Sequence, residues 1–360
     1  MRSNNSNGSR VSWARGFMAL FAIVLVMGLA LAARPAEAAP FLYVANFKSN
    51  DVSVIDTATN TVVATIPVGA NPNQLAVTPD GTHVYVANAN DNTVSVIRTA
   101  TNSVVKTIPV GTLPFGVAVT PDGTKVYVAN NGSNSVSVIH RPGNTVVKTV
   151  PVGTFPMGVA VTPDGTKVYV TNSGSNNVSV IARPGNTVVA TVPVGNRPVG
   201  VAVTPDGKHV YVTNSSDRGN SVSVIHTATN TVVGLPIPVG MEPFAVAITP
   251  DETHVYVANL GFNKVSVIGT ASKTVVKKVT VGFYPMGVAV SPDGTHVYVA
   301  NTGSSTVSVI ARPGNTVVAN IPVGTGPVGM AIEQLCILHL FHLAHGQLFA
   351  SCSIFEPTRQ

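Results

Sequence analysis

From residue 39 to residue 335 the chain has no cysteine, and its only tryptophan is Trp13. The folded part therefore does not rely on disulfides. Charged residues make up only 10% of the whole, and the repeats described below hold just two glutamates, Glu242 and Glu252. Residues 1–38 carry four arginines and one glutamate, so the net charge of +6 falls to +3 without them. Nothing in that remainder argues for nucleic acid as a partner. What the chain has in quantity is Gly (32), Pro (26), Val, Thr, Asn and Ser. That is the balance of an all-β protein with many turns.

The first residues read differently. Arg2, Arg10 and Arg15 precede an 18-residue apolar run, Gly16 to Ala33. Ala36-Glu37-Ala38 follows it and fits a small-x-small cleavage site. This predicts a signal peptide over 1–38, a mature start at Ala39 and an exported protein in the periplasm, at the cell surface or outside the cell. A retained anchor is the alternative, because 18 residues just span a bilayer. After cleavage no membrane span is expected. No Arg-Arg pair points to a twin-arginine route.

Tyr-Val-(Ala/Thr)-Asn words begin at Tyr43, Tyr85, Tyr127, Tyr169, Tyr211, Tyr256 and Tyr298, spaced by 42 residues except for one step of 45. A fixed period of this size indicates a propeller, solenoid or array. Within the unit around Tyr127, "FGVAVT", "KVYVAN", "SVSVI" and "TVVKTVPV" are Val-rich runs, separated by "PDGT", "NGSN" and "RPGN". Four short strands with tight turns make one antiparallel propeller blade. The region opens on "FLYVAN", a second strand without a first, and closes on "PVGMAI" (Pro327–Ile332), a first strand without a second. The two complete each other. The expected fold is a seven-bladed β-propeller of four-stranded antiparallel blades over 39–332, closed by a C-terminal inner strand that completes the first blade. Closure also removes open sheet edges.

The words "YVAN" and "YVTN", with "TPDG" before them and "SVSVI", "NTVV" and "PVG" after, resemble the YVTN-type β-propeller repeat family of bacteria and archaea. The resemblance covers Phe41 to about Ile332. It implies an exported, often surface-associated propeller and no single activity. Relatives include surface-layer proteins, and lactonases and redox enzymes share the fold. Fold alone does not fix function.

The seven copies permit an internal comparison. Loops from a fourth strand to the next first strand share one rim with the second-to-third loops. The first class reads "GANPNQ", "GTLPFG", "GTFPMG", "GNRPVG", "GMEPFA", "GFYPMG" and "GTGPVG". Gly and Pro are fixed there, and large or charged residues vary between them. Leu113, Phe155, Phe283 and Tyr284 are read as exposed binding residues. Phe115, Met157, Phe244 and Met286 either join them or plug the central tunnel or pack between blades. Arg197 and Glu242 lie in consecutive loops, and the insert "SSDRGN" between them adds Asp217 and Arg218. These eight residues (113, 155, 197, 217, 218, 242, 283 and 284) are the candidate binding rim.

Catalytic signals are sparse. His83, His209, His254 and His296 precede second strands, and His140 and His226 begin third-to-fourth turns, so no repeat histidine lies on the variable rim. That disfavours a histidine metal cage or a Ser-His triad there. Paired-carboxylate chemistry would need Asp91, Asp217 and Glu242 to converge. No catalytic residue, metal or cofactor is expected. The resulting expectation is a monomeric, non-enzymatic scaffold that binds a protein or a cell-envelope glycan through its rim. The rivals are a lactonase- or lyase-type enzyme and a purely structural surface-layer module. Residues 333–360 break the pattern and hold Cys336, Cys352 and three histidines. They are expected to form a capping helix or to be a displaced gene end.

Overall fold

The computed structural model describes residues 40–216, 220–333, 336–342 and 348–354, with side chains described for residues 40–216 and 220–333. The expected leader and its cleavage site lie outside them. Among the described residues no helix is long and apolar enough to cross a membrane.

Each repeat forms an antiparallel sheet in the order inner, second, third, outer strand, and seven such sheets follow one another. Blade 3 is representative: Pro114–Val119, Lys125–Asn130, Ser135–His140 and Thr145–Pro151. Its second and third strands pair without interruption from Ser135 opposite Asn130 to His140 opposite Lys125. Blade 1 is assembled from both ends of the repeat region. Phe41–Asn46, Asp51–Asp56 and Thr61–Pro67 take Pro327–Ile332 as their inner strand. Glu333 locks that closure. Its carboxylate accepts from the Tyr43 hydroxyl at 3.0 Å, and its N–H donates to the Phe41 carbonyl at 3.0 Å. Burial pushes this carboxyl above the usual range, against the lowering effect of the Phe41 and Tyr43 hydrogen bonds.

The core lies between blades. Tyr43, Val52 and Ile66 of blade 1 pack with Leu75, Val84 and Ile97 of blade 2, and equivalent clusters fill the other six joints. This is why the second and third strands are apolar on both faces: each blade has a neighbour on either side. Outer strands face solvent and are exposed along most of their length, some with alternating burial, and Val147 and Val189 stay exposed. The 45-residue step has two sources. One is the 215–220 loop. The other is the outer strand of blade 5, broken into Thr231–Val232 and Ile237–Pro238 around an exposed Leu235.

After Glu333, Cys336–His342 and Leu348–Ile354 pair as an antiparallel hairpin, Phe341 opposite Phe349. The capping helix expected there is replaced by strands. Two aromatic-rich runs flank Gly346, which is a hairpin signal that spacing of the histidines alone did not reveal.

Candidate functional site

The Asn that ends each Tyr-Val word organises the variable rim. Asn130 is fully buried and donates from Nδ2 to Ser137 Oγ at 3.0 Å. It fills the space under Gly111, where a Cβ would stand 2.6 Å from its Cγ. Here the fixed glycine of the loop is a close approach, not a free turn. The next loop residues then take an unusual backbone. Leu113, Phe155, Arg197, Glu242 and Tyr284 all have φ between 49° and 53° and all precede proline. Non-glycine residues pay for this left-handed conformation, and it persists only where the surroundings impose it.

The surroundings are two neighbouring loops. The N–H of Leu113 donates to Asn92 Oδ1 at 2.9 Å, and its carbonyl accepts from Asn131 N–H at 3.0 Å. The same pair of bonds holds Phe155, Arg197, Glu242 and Tyr284. Each such residue is stitched to the second-to-third loops of two adjacent blades, so its side chain projects from a fixed point. Glycine in those loops makes room for the ring. A Cβ on Gly174 would lie 2.5 Å from Phe155 Cδ2, and one on Gly303 would lie 2.5 Å from Tyr284 Cδ2.

The exposure expected for the apolar rim residues is present. Leu113, Phe155, Phe283 and Tyr284 are 46%, 55%, 63% and 58% exposed. Met241 and Phe262 join them, Phe262 from the second-to-third loop of blade 6. Arg197 and Glu242 are exposed in consecutive fourth-to-first loops, one on either side of the 215–220 loop. Ser215 N–H donates to the Arg197 carbonyl, and Asn220 Oδ1 accepts from Glu242 N–H, each at 3.0 Å. Asp217 and Arg218 lie outside the described residues.

The inner strands meet at a cavity of about 210 Å³ in the rim end of the tunnel. Phe115 and Phe244 settle their two readings here: both line the cavity, and their rings meet edge to face, centroids 6.0 Å apart. They come from blades 3 and 6, on opposite sides of the ring. Gln74 is the one lining residue with a polar side chain among those described, and none is charged.

A second cavity, of about 400 Å³, lies on the opposite face between His83, Tyr85, Asp122 and Arg141. Its charges already have partners. Arg141 pairs with Asp80 at 2.6 Å and Asp122 with Arg183 at 3.0 Å. Tyr85 donates to Asn144 Oδ1 at 2.5 Å. Burial lowers the His83 pKa, assisted by Arg141 and Arg98 and opposed by Asp80. Among the described residues no group of three His, Cys, Asp or Glu is placed to hold a metal ion.

With this geometry in place, comparison with known proteins identifies the class. The model of the virginiamycin B lyase family matches residues 29–312, most of the chain, and the protein belongs to that family. The finer YVTN label is related to this family without being the one matched. No curated protein matches the sequence. Among solved structures, a chain of Kuenenia stuttgartiensis hydrazine synthase is 25% identical over 78% of this chain and 98% of its own, with a TM-score of 0.70. The periplasmic gluconolactonase of Pseudomonas aeruginosa is 21% identical over 82% of this chain and 99% of its own, TM-score 0.68. A Bacteroides fragilis protein described as a 6-phosphogluconolactonase is 17% identical over 83% and 99%, TM-score 0.71.

These findings correct the expectation of a non-enzymatic scaffold for a protein or glycan partner, and with it the purely structural alternative. The family is named for a lyase, and two of the structural neighbours are named as lactonases. The absence of rim histidines had argued against metal cages and Ser-His triads. It does not bear on chemistry by carboxylate and arginine side chains, of which Glu242 and Arg197 stand on this rim.

Proposed function

We propose that the protein is an exported enzyme that opens a cyclic ester at the rim mouth of its tunnel. The observation that carries this reading is the family match over nearly the whole propeller. The neighbours named as gluconolactonases support it, since a lactonase cleaves the ester of a ring. The rim supplies the parts. Leu113, Phe155, Phe283 and Tyr284 offer an apolar seat for the substrate, and Arg197 and Glu242 bring a guanidinium and a carboxyl group beside it. Glu242 removes a proton, either from water in hydrolysis or from carbon in elimination. Arg197 donates to the ester carbonyl oxygen as negative charge develops on it. Among the seven fourth-to-first loops Arg197 is the only cation, and the second-to-third loops of the same rim add Lys48 and Arg218. A neutral ring is the favoured substrate, because no charged side chain among the described residues lines the cavity at the tunnel mouth.

Ring opening of gluconolactone, 6-phosphogluconolactone and virginiamycin B by the purified protein tests this. Hydrolysis adds the mass of water to the product; elimination does not. Glu242→Gln should lower kcat by about 10²-fold or more. Failure to accelerate any of the three would overturn the reading.

A further inference from the structure

The inner strands spell almost the same word in every blade, and one blade departs from it at the tunnel. Two positions after the rim proline stand Gly116, Gly158, Gly200, Ala245, Gly287 and Gly329. Blade 2 has Gln74 there, preceded by Asn73 where other blades carry Phe, Met or Val. The small residues serve packing: a Cβ on Gly116 would fall 2.2 Å from the Met157 carbonyl oxygen of the next blade. Gln74 faces Gly329 of blade 1, and a Cβ on that glycine would lie 3.0 Å from its Oε1. Gly329 meets the next blade's backbone as the other glycines do, with the Asn73 carbonyl oxygen 2.3 Å from its would-be Cβ. Only at this joint does the next blade's inner strand place a polar side chain beside that contact.

We infer that Gln74 determines specificity, by hydrogen-bonding an uncharged carbonyl of the ligand inside the tunnel mouth. The inference deepens the proposed ring-opening function and rests on it for the identity of the ligand as substrate. The cavity walls are Leu75, Val117, Val201, Phe115, Phe244 and Met330 among others, with no charge to pair an ion. Burying an ionised group there would be costly, whereas a neutral ring is welcome. A pocket of apolar wall with one placed polar group is the usual design for orienting a small ligand. A primary amide donates to a carbonyl and accepts from a hydroxyl or N–H, so it reads a neutral ester or amide. The volume of about 210 Å³ is small for a ligand pocket, which suits insertion of a small ring.

The test uses an unreactive cyclic amide, so binding is read without turnover. Calorimetric titration with caprolactam, with 2-pyrrolidinone and with the carboxylated counterpart of the latter, pyroglutamate, should show binding of the first two and rejection of the third. Gln74→Gly installs the residue of five other blades and is expected to fold normally, with its melting temperature within about a degree of the parent. It should weaken caprolactam binding about tenfold or more, equivalent to about 1.4 kcal/mol. Gln74→Glu, isosteric but charged, should weaken it at least as much. Unchanged affinity in Gln74→Gly, equal binding of pyroglutamate, or no binding of caprolactam to the parent would each overturn the inference. A protein that binds caprolactam through Gln74 but opens no lactone would refute the enzymatic reading and leave the binding assignment standing.

Discussion

The two faces of the ring use the same repeats to opposite ends. On the face of the Pro-Asp-Gly turns, charges meet partners. Arg141, Arg183 and Arg312 each reach back to the aspartate of the preceding blade, Asp80, Asp122 and Asp251, at 2.6, 3.0 and 2.9 Å. The same guanidinium donates to its own blade's turn, as Arg312 Nη1 does to the Gly294 carbonyl at 2.6 Å. Blades 1, 2, 5 and 6 carry Thr at this position, and its hydroxyl makes only the own-blade bond, as Thr99 does to Gly81 at 2.7 Å. On the variable rim the side chains are exposed and the backbone is held in a costly conformation. One face is built for the stability of the joint, the other for contact. Left-handed backbone occurs on both faces, mostly at asparagine on the turn face, with Glu252 and Lys273, whereas the rim imposes it on Leu113, Phe155, Arg197, Glu242 and Tyr284. Strain held under exposed side chains of this size is what a functional site is expected to show.

Removing an arginine latch should be the largest single effect and should leave the rim untouched. Arg312→Ala deletes both the ion pair and the bond to Gly294, a loss of about 2 kcal/mol for charged hydrogen bonds of a partly buried group. Thermal unfolding should show a drop of several degrees. Arg312→Thr keeps the own-blade bond, as the other blades do, and should recover about half. The forfeited ion pair is then worth under about 1 kcal/mol, because Asp251 is half exposed. Lactone turnover should be unchanged in both. If Thr is no better than Ala, the cross-blade pair rather than the turn bond holds the joint.

Acid should separate the faces next. Burial raises the pKa of Asp80, Asp122 and Asp251, but hydrogen bonds from their threonines and arginines outweigh it and hold each carboxyl well below the ordinary range. A carboxyl with a depressed folded pKa stabilises the fold above its unfolded value, near 3.9, and that stability is lost as pH falls through and below it. The melting temperature should therefore fall between about pH 5 and pH 3. Arg141→Thr should flatten that fall, since it removes one cause of the depression at Asp80. Glu333 works in the other direction. Its raised pKa means that the clasp gains relative stability as pH drops, so Glu333→Gln should remove a small opposing component. A melting curve indifferent to pH in this window would count against the latched face.

Much of this was legible in the sequence. The period gave the blade count, and the unmatched strands at Phe41 and Pro327 gave the closure, because both follow from counting. The rim was legible as the place where words change. The backbone at Leu113 and Tyr284 was not, since its left-handed form is imposed by Asn92 and Asn263 of the neighbouring blades, 21 residues earlier. Nor was the contact of Phe115 with Phe244, which depends on ring geometry across the tunnel. Gln74 stood in plain view in "GANPNQ", but its meaning needs the tunnel around it.

The smallest effect is the sharpest test of the contrast. Blade 2 carries Asn71 at the strained rim position, with φ of 52°, and asparagine tolerates this region far better than tyrosine. Tyr284→Asn should therefore relieve strain. The gain of about 0.5–1 kcal/mol is partly offset by losing the ring that lies over Gly303. A half-exposed ring contributes little packing, so the melting temperature should stay level or rise by one or two degrees. Ring opening or caprolactam binding should weaken at the same time. Stability traded against function in this way is the signature of a site whose strain is kept for contact. If Tyr284→Asn lowers the melting temperature and leaves binding intact, Tyr284 is a structural residue, and the rim differs from the opposite face in degree only.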